Sequence, residues 1–387
     1  MEVEQSPAEK EVRMKKSVWP LLVIFFLAGG LTAILIGQVK LAPKTQDNSV
    51  EAISERWTES GHADQEAEAF IHWDEDDPAE IPANCAKCHS AYGYLDYLGE
   101  DGTEALMVDA AANIGSVVTC NVCHNPTAHE KEVAYFPSGA EVSIEGGSVN
   151  CAECHQGTRS GLNVESATQD LPEDEVNSDL GFINVHYKIG GAVRYGSEVT
   201  VGYEYPGQTY AGYFLHTENY QYCTDCHDPH ALTIDAVECA ACHPSVSDLA
   251  DIWSVRSEGT PDYDGDGNTT EGVYGEIETL HEIMYAAIQQ YATDVAGTSI
   301  IYAGSFPYWF NDTNGDGNAD EDEINFGNQF TDWTPRLLKA AYNYHLVNED
   351  PGGFMHNAPY LVQLMVDSIA NLSEASPFAM GNLIRPD

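Results

Sequence analysis

Apolar residues recur at helical spacing mainly in the last third of the chain. Ile277, Leu280, Met284, Ile288 and Tyr291 stand three or four positions apart, which predicts an amphipathic helix over 276–295. Thr334-Pro335 supplies a capping residue and a first-turn proline for a second helix carrying Leu337, Leu338, Ala341 and Tyr342. Asn357-Ala358-Pro359 opens a third, with Leu361, Leu364, Met365, Val366 and Ile369. Upstream the helical period is weak. Ala63–Phe70 reads as a short helix, and a short strand pair is expected around Glu141–Val149. Glu198–Tyr205 and Thr209–Leu215 alternate and are rich in aromatics, with Pro206-Gly207 between them, so a β-hairpin is expected there. Residues 160–180 read as surface loop.

Residues 18–36 are almost wholly apolar, about the length that crosses a hydrocarbon core. No small-x-small cleavage site follows, so the run reads as an uncleaved signal-anchor. Arg13, Lys15 and Lys16 precede it and place the N-terminus on the cytoplasmic side. The expected order is a cytoplasmic terminus (1–16), a transmembrane segment (17–37), a tether (38–56), a cysteine-rich domain (57–250) and a helical subdomain (251–387).

Weak periodicity in 57–250 has an explanation in the cysteines. All ten fall in five C-x-x-C-H motifs: Cys85, Cys88, His89; Cys120, Cys123, His124; Cys151, Cys154, His155; Cys223, Cys226, His227; and Cys239, Cys242, His243. Two thiols three positions apart reach the two vinyl groups of one porphyrin, and the next imidazole lies against its iron. Zinc knuckles and redox disulfides share the C-x-x-C half of this pattern, but five complete copies leave no thiol over. Five covalently bound haem c groups are therefore expected. The fold class that follows is mainly α, with few short strands and long loops: a multihaem cytochrome c core of stacked haems plus a C-terminal helical subdomain.

Formal charge is -46, from 62 acidic and 16 basic side chains. Such a polyanion does not bind nucleic acid; it suits a basic redox partner or cations. Asp312, Asn314, Asp316, Gly317, Asn318, Asp320 and Glu323 match the twelve-position calcium loop throughout. Asp262, Asp264, Asp266, Gly267 and Asn268 begin a second copy, but its twelfth position is Val273, so Glu271 or Glu276 must substitute. One or two structural Ca²⁺ ions are expected, the plainer reading being acidic surface turns.

Bis-histidine coordination of five irons needs five of the nine remaining histidines. His230 is tied to motif four by Asp-Pro, and His186 and His216 flank the aromatic stretch before that motif. His62 and His72 share one short segment, and His356 precedes a helix. These six are the candidates. His129 is undecided, and His281 and His345 sit within amphipathic helices, where a packed histidine is the commoner explanation. No methionine stands in a loop that invites ligation.

From SGHAD and HWDED through CAKCHS, INVHY, GYEYPGQTYAGYF and CTDCHDPH to WTPRLLKAAYNY and HNAPYLVQL, roughly residues 57–373, the chain resembles polyhaem membrane-associated c-type cytochromes. The resemblance implies electron carriage from a membrane-side donor to an extracytoplasmic acceptor. It also implies His62, His186, His216, His230 and His356 as the axial set. The expected function is a membrane-anchored electron relay with redox proteins as partners, not an enzyme. The alternatives are a reductase of a small oxyanion such as nitrite, with one open haem, and a subunit of an extracellular cytochrome filament. A reductase fits poorly with five motifs that all end in histidine and with only ten Lys and Arg beyond residue 50.

Overall fold

The computed structural model describes residues 47–387. The expected signal-anchor lies outside the described residues; among those described, no helix is long and apolar enough to cross a membrane. The fold is mostly helical, with three two-stranded antiparallel pairs and long loops.

Three long helices centre the core: α1 (Val273–Tyr291), α2 (Pro335–Asn348) and α3 (Ala358–Ser373). Local signals start two of them. The Thr334 hydroxyl accepts from Leu337 N at 3.1 Å and the Asn357 side chain from Tyr360 N at 3.3 Å, each followed by a first-turn proline. Helix α1 buries Leu280, Met284, Ile288 and Tyr291, and α3 buries Leu361, Leu364, Met365 and Ile369. Each such side chain contributes roughly 1.5–3 kcal/mol when withdrawn from water. Helix α2 packs against both and is buried on all sides, so its polar groups need partners. Arg336 pairs with Asp174 at 2.7 Å and Glu374 at 2.9 Å, and Lys339 with Glu173 at 2.6 Å. This core continues without a break into residues 134–205 through Phe136, Val149, Val164, Val185 and Val201.

Two expectations are corrected. The aromatic stretch 198–215 is not a β-hairpin. Pro206-Gly207 does turn, with Gly207 at φ 87°, but the flanking backbone bonds to side chains instead of to itself. Gly202 N donates to the Tyr360 hydroxyl at 2.9 Å, Tyr203 N to Asn343 Oδ1 at 2.8 Å and Ala211 N to Gln363 Oε1 at 2.8 Å. The described end of the expected tether is also ordered: Val50–Thr58 is helical, capped by Ser49, and its Trp57 indole donates to Val118 O at 3.0 Å. The strand pair expected around Glu141–Val149 is displaced towards the N-terminus: Val133–Tyr135 pairs with Glu141–Ser143, and Ser148–Cys154 is helical. The expected helix at 63–70 shortens to Glu68–Ile71.

Candidate haem-binding centres

Every C-x-x-C-H segment folds as a tight turn. In motifs two to five the histidine N–H reaches back to the first cysteine's carbonyl at 2.8, 2.9, 2.9 and 2.8 Å. Motif one lies in the helix Ala83–His89. A helical turn puts residues i, i+3 and i+4 on one face, so both thiols and the imidazole of a motif point the same way. All ten cysteines are free thiols.

Each motif histidine then meets a second histidine from elsewhere in the chain. Ring centroids lie 5.7 Å apart for His89 and His186, 6.3 Å for His155 and His62, and 6.1 Å for His124 and His230. They lie 6.1 Å apart for His243 and His216 and 6.4 Å for His227 and His356. Metal–imidazole bonds of about 2 Å on both sides of one ion require ~6 Å between ring centroids. The five gaps fit an iron between each pair. His72, the sixth candidate, faces no motif histidine: it is exposed, bonded to Glu68 at 2.8 Å and edge-on to Trp73.

The imidazoles are held in the ligating form. His89 donates from Nδ1 to Ala69 O at 2.8 Å and His155 to Lys188 O at 2.9 Å. A carbonyl only accepts, so the proton sits on Nδ1 and Nε2 is left for a metal. His227 bonds the Leu232 backbone, and Asp350 grips Nδ1 of His356 at 2.8 and 2.9 Å. Burial pushes His62 and His186 down to about 4, with their facing histidines adding to the effect. Partial burial lowers His89, His216 and His227 as well. At His356 burial acts downward, but the Asp350 carboxylate outweighs it and the net shift is up. A Cβ at Gly190 would stand 2.6 Å from His356 Cε1 and one at Gly352 2.8 Å from it, so both glycines make room for this ring. His186 has φ 85°, with its N–H held by Asn184 Oδ1 at 2.7 Å. Non-glycine backbone in that region costs of order 1 kcal/mol and is kept where surrounding contacts fix it.

The remaining histidines are accounted for without a metal. His281 stacks on Tyr344 and bonds its carbonyl at 2.9 Å; His345 is buried between the Tyr302 hydroxyl and Asn184, each at 2.8 Å. His129 is exposed on a short helix. Three neighbours of the centres had no signal in the sequence: Trp73 edge-on to His89 at 5.2 Å, Tyr187 against His186 at 4.6 Å, and Asp350.

The motifs also touch one another. Cys88 lies beside Cys154, and Cys151 beside Cys223. Cys123 lies within electrostatic range of Cys151, and Cys226 of Cys239. Cys120, Cys123 and Cys242 are exposed, whereas the other seven cysteines are half-buried.

The two acidic loops share one hydrogen-bond register. Asp262 accepts from Gly265 N and Gly267 N at 3.0 and 2.9 Å, and Asp312 from Gly315 N and Gly317 N at 2.7 and 3.0 Å. Asp264 and Asn314 each accept from the N–H two residues on, as do Asp266 and Asp316. Glu323 caps its own loop through the N–H groups of Thr313 and Asn314; Glu276, on the first turn of α1, does the corresponding job for Asp264 N at 3.1 Å. Asp264 Oδ2, Glu271 Oε1 and Glu323 Oε2 are buried without a hydrogen-bond partner. The carboxylates of Asp262, Asp264 and Glu276, and of Asp264, Asp266 and Glu271, lie within 4.8 Å of one another. The incomplete motif thus gathers its acids closely. In the complete one, Asn314 donates to Asp320 at 2.9 Å, while Asn318 bonds Asp316.

The chain is similar to C-type polyheme cytochromes of Geobacter sulfurreducens. OmcB is 29% identical over 361 residues, covering 79% of this chain and 46% of the relative. OmcC is 27% identical over 387 residues, covering 86% and 48%. The chain spans a little under half the length of these curated relatives. No family model matches it, and no solved structure does. Relatives of this kind imply covalently bound haem c.

Proposed function

We propose that this chain is an extracytoplasmic pentahaem electron relay, anchored by residues 17–37, that passes electrons from a membrane-side redox protein to an external or periplasmic acceptor. The carrying observation is the pairing of all five motif histidines with a second imidazole at 5.7–6.4 Å between ring centroids. Each haem, when bound, supplies a one-electron Fe(III)/Fe(II) couple, so that one iron is oxidised as its neighbour is reduced. The protein's part is to supply two imidazoles per iron, fix their rings and bring the motifs together. An oxyanion reductase needs an iron with an open sixth position, whereas here a second histidine faces each proximal one. Low-temperature EPR of the oxidised, haem-loaded protein, with a carbon monoxide difference spectrum of the reduced form, tests the reading. All-low-spin iron indifferent to carbon monoxide is expected; a high-spin, carbon-monoxide-binding fifth of the haem overturns it.

The same reading gives the acidic loops Ca²⁺. Unpartnered buried oxygens on Asp264 and Glu323 support it, since a buried carboxylate oxygen without a donor is costly unless a cation completes it. Both loops hold α1: Asp264 through Glu276, and Gly317 O through Gln289 Nε2 at 2.8 Å. Calorimetric titration of chelator-treated, haem-loaded protein is expected to show calcium binding that Asp264→Asn and Asp312→Asn each reduce. No heat in the unmutated protein removes calcium from the account.

A further inference from the structure

Two variable residues of the haem motifs form a buried ion pair with each other. Glu153, inside motif three, is fully buried, and its carboxylate pairs with Lys87 of motif one and with Lys131 at 3.0 Å. The Tyr97 hydroxyl donates to it at 3.2 Å and Tyr135 N at 3.3 Å. Beyond residue 50 the chain has only ten Lys and Arg, and two of them surround this one carboxylate.

The place is a contact between motifs. Cys88 Sγ lies 3.8 Å from Glu153 O and Cys154 Sγ 4.0 Å from Lys87 O, so the two segments cross here. In the haem-loaded protein these sulfurs carry porphyrin edges, so the haems of motifs one and three adjoin here. Motif three also meets motif four through Cys151 and Cys223, which makes it the junction of the set.

We propose that the Lys87–Glu153–Lys131 cluster sets the reduction potentials of the haems of motifs one and three at this junction. The proposal rests on the relay reading above. A buried carboxylate favours the more positive ferric state and lowers a potential, while a buried ammonium does the reverse. Charges withdrawn from water act here with little screening.

The experiment is a spectroelectrochemical titration of haem-loaded Glu153→Gln, Lys87→Gln and the double variant, with EPR recorded on each. Glu153→Gln leaves two unneutralised lysines and is expected to raise two of the five midpoints. Lys87→Gln is expected to lower the same two, and the double variant, which restores the cluster's net charge, to return them towards the original values. A purely structural pair would move both single variants in one direction and would not be rescued; that result overturns the proposal. If Glu153→Gln does not accumulate, Lys131→Gln replaces it, and a fall of the same two midpoints as in Lys87→Gln is required. Unmoved midpoints with all-low-spin EPR defeat this inference alone. A high-spin haem in the unmutated protein defeats the relay reading instead.

Discussion

An imidazole binds iron through an unprotonated Nε2, and carbonyl acceptors at Nδ1 favour that tautomer in His89 and His155. The His216–His243 pair is the one to probe, because His216 is exposed and its truncation removes little packing. His216→Ala is expected to convert about one haem in five to a high-spin, carbon-monoxide-binding form. His72→Ala, cutting a bond to Glu68 and an edge contact with Trp73 at an exposed site, is expected to leave the spectra unchanged. EPR and carbon monoxide difference spectra of both variants check this. Glu349 gives a second residue-scale prediction. Burial, opposed by an Asn348 hydrogen bond and Lys188, pushes it up to about 7 from 4.5, while burial drops the neighbouring His345 to about 3. Folded Glu349 thus keeps a proton that the unfolded chain releases. Its stabilisation is full below about pH 4.5 and is lost as pH rises through about 7, on the order of 1–3 kcal/mol. Glu349→Gln should remove that slope, as read by chemical denaturation at pH 5 and 7.5.

At the scale of elements, the stretch 198–215 is held by side chains of α2 and α3 where a strand partner was expected. Asn343 is the central clamp: its amide accepts from Tyr203 N at 2.8 Å and donates to Tyr203 O at 3.0 Å. Asn343→Leu keeps the volume close but leaves both backbone groups unpaired in a buried site. It is expected to cost roughly 2–4 kcal/mol, seen as a lower denaturation midpoint with EPR unchanged. This element also shows where the sequence stopped being informative. The caps at Thr334 and Asn357 were legible because a cap is satisfied within its own turn. Alternating aromatics look the same whether their backbone pairs with a strand or with a distant Asn343 or Tyr360, so the hairpin was not. Among candidate ligands, His62 and His72 occupy one segment with similar surroundings in sequence; only the fold gives Glu68 to one and His155 to the other. Lys87 and Glu153 were visible as variable residues of two motifs, but nothing local indicated that they meet.

For the molecule as a whole, charge and the placement of the motifs act together. The chain carries -46, and the five haems proposed above would add up to about ten further negative charges through their propionates. The cysteines of motifs one, three and four are half-buried, whereas exposed cysteines lie in motifs two and five. The relay proposed above would exchange electrons with partners at motifs two and five, through a strongly negative surface. A cationic partner is steered towards that surface and an anionic one repelled, and both effects fade as salt shortens the screening length to about 10 Å at 0.1 M. Oxidation of the reduced, haem-loaded protein by hexaammineruthenium(III) should consequently slow as ionic strength rises. Oxidation by ferricyanide should accelerate. Stopped-flow rates at 10 and 300 mM salt read both trends directly. Equal slopes for the two reagents would mean that acidic side chains lie away from motifs two and five, and that the basic character expected of the natural partner has no footing in the surface where electrons leave.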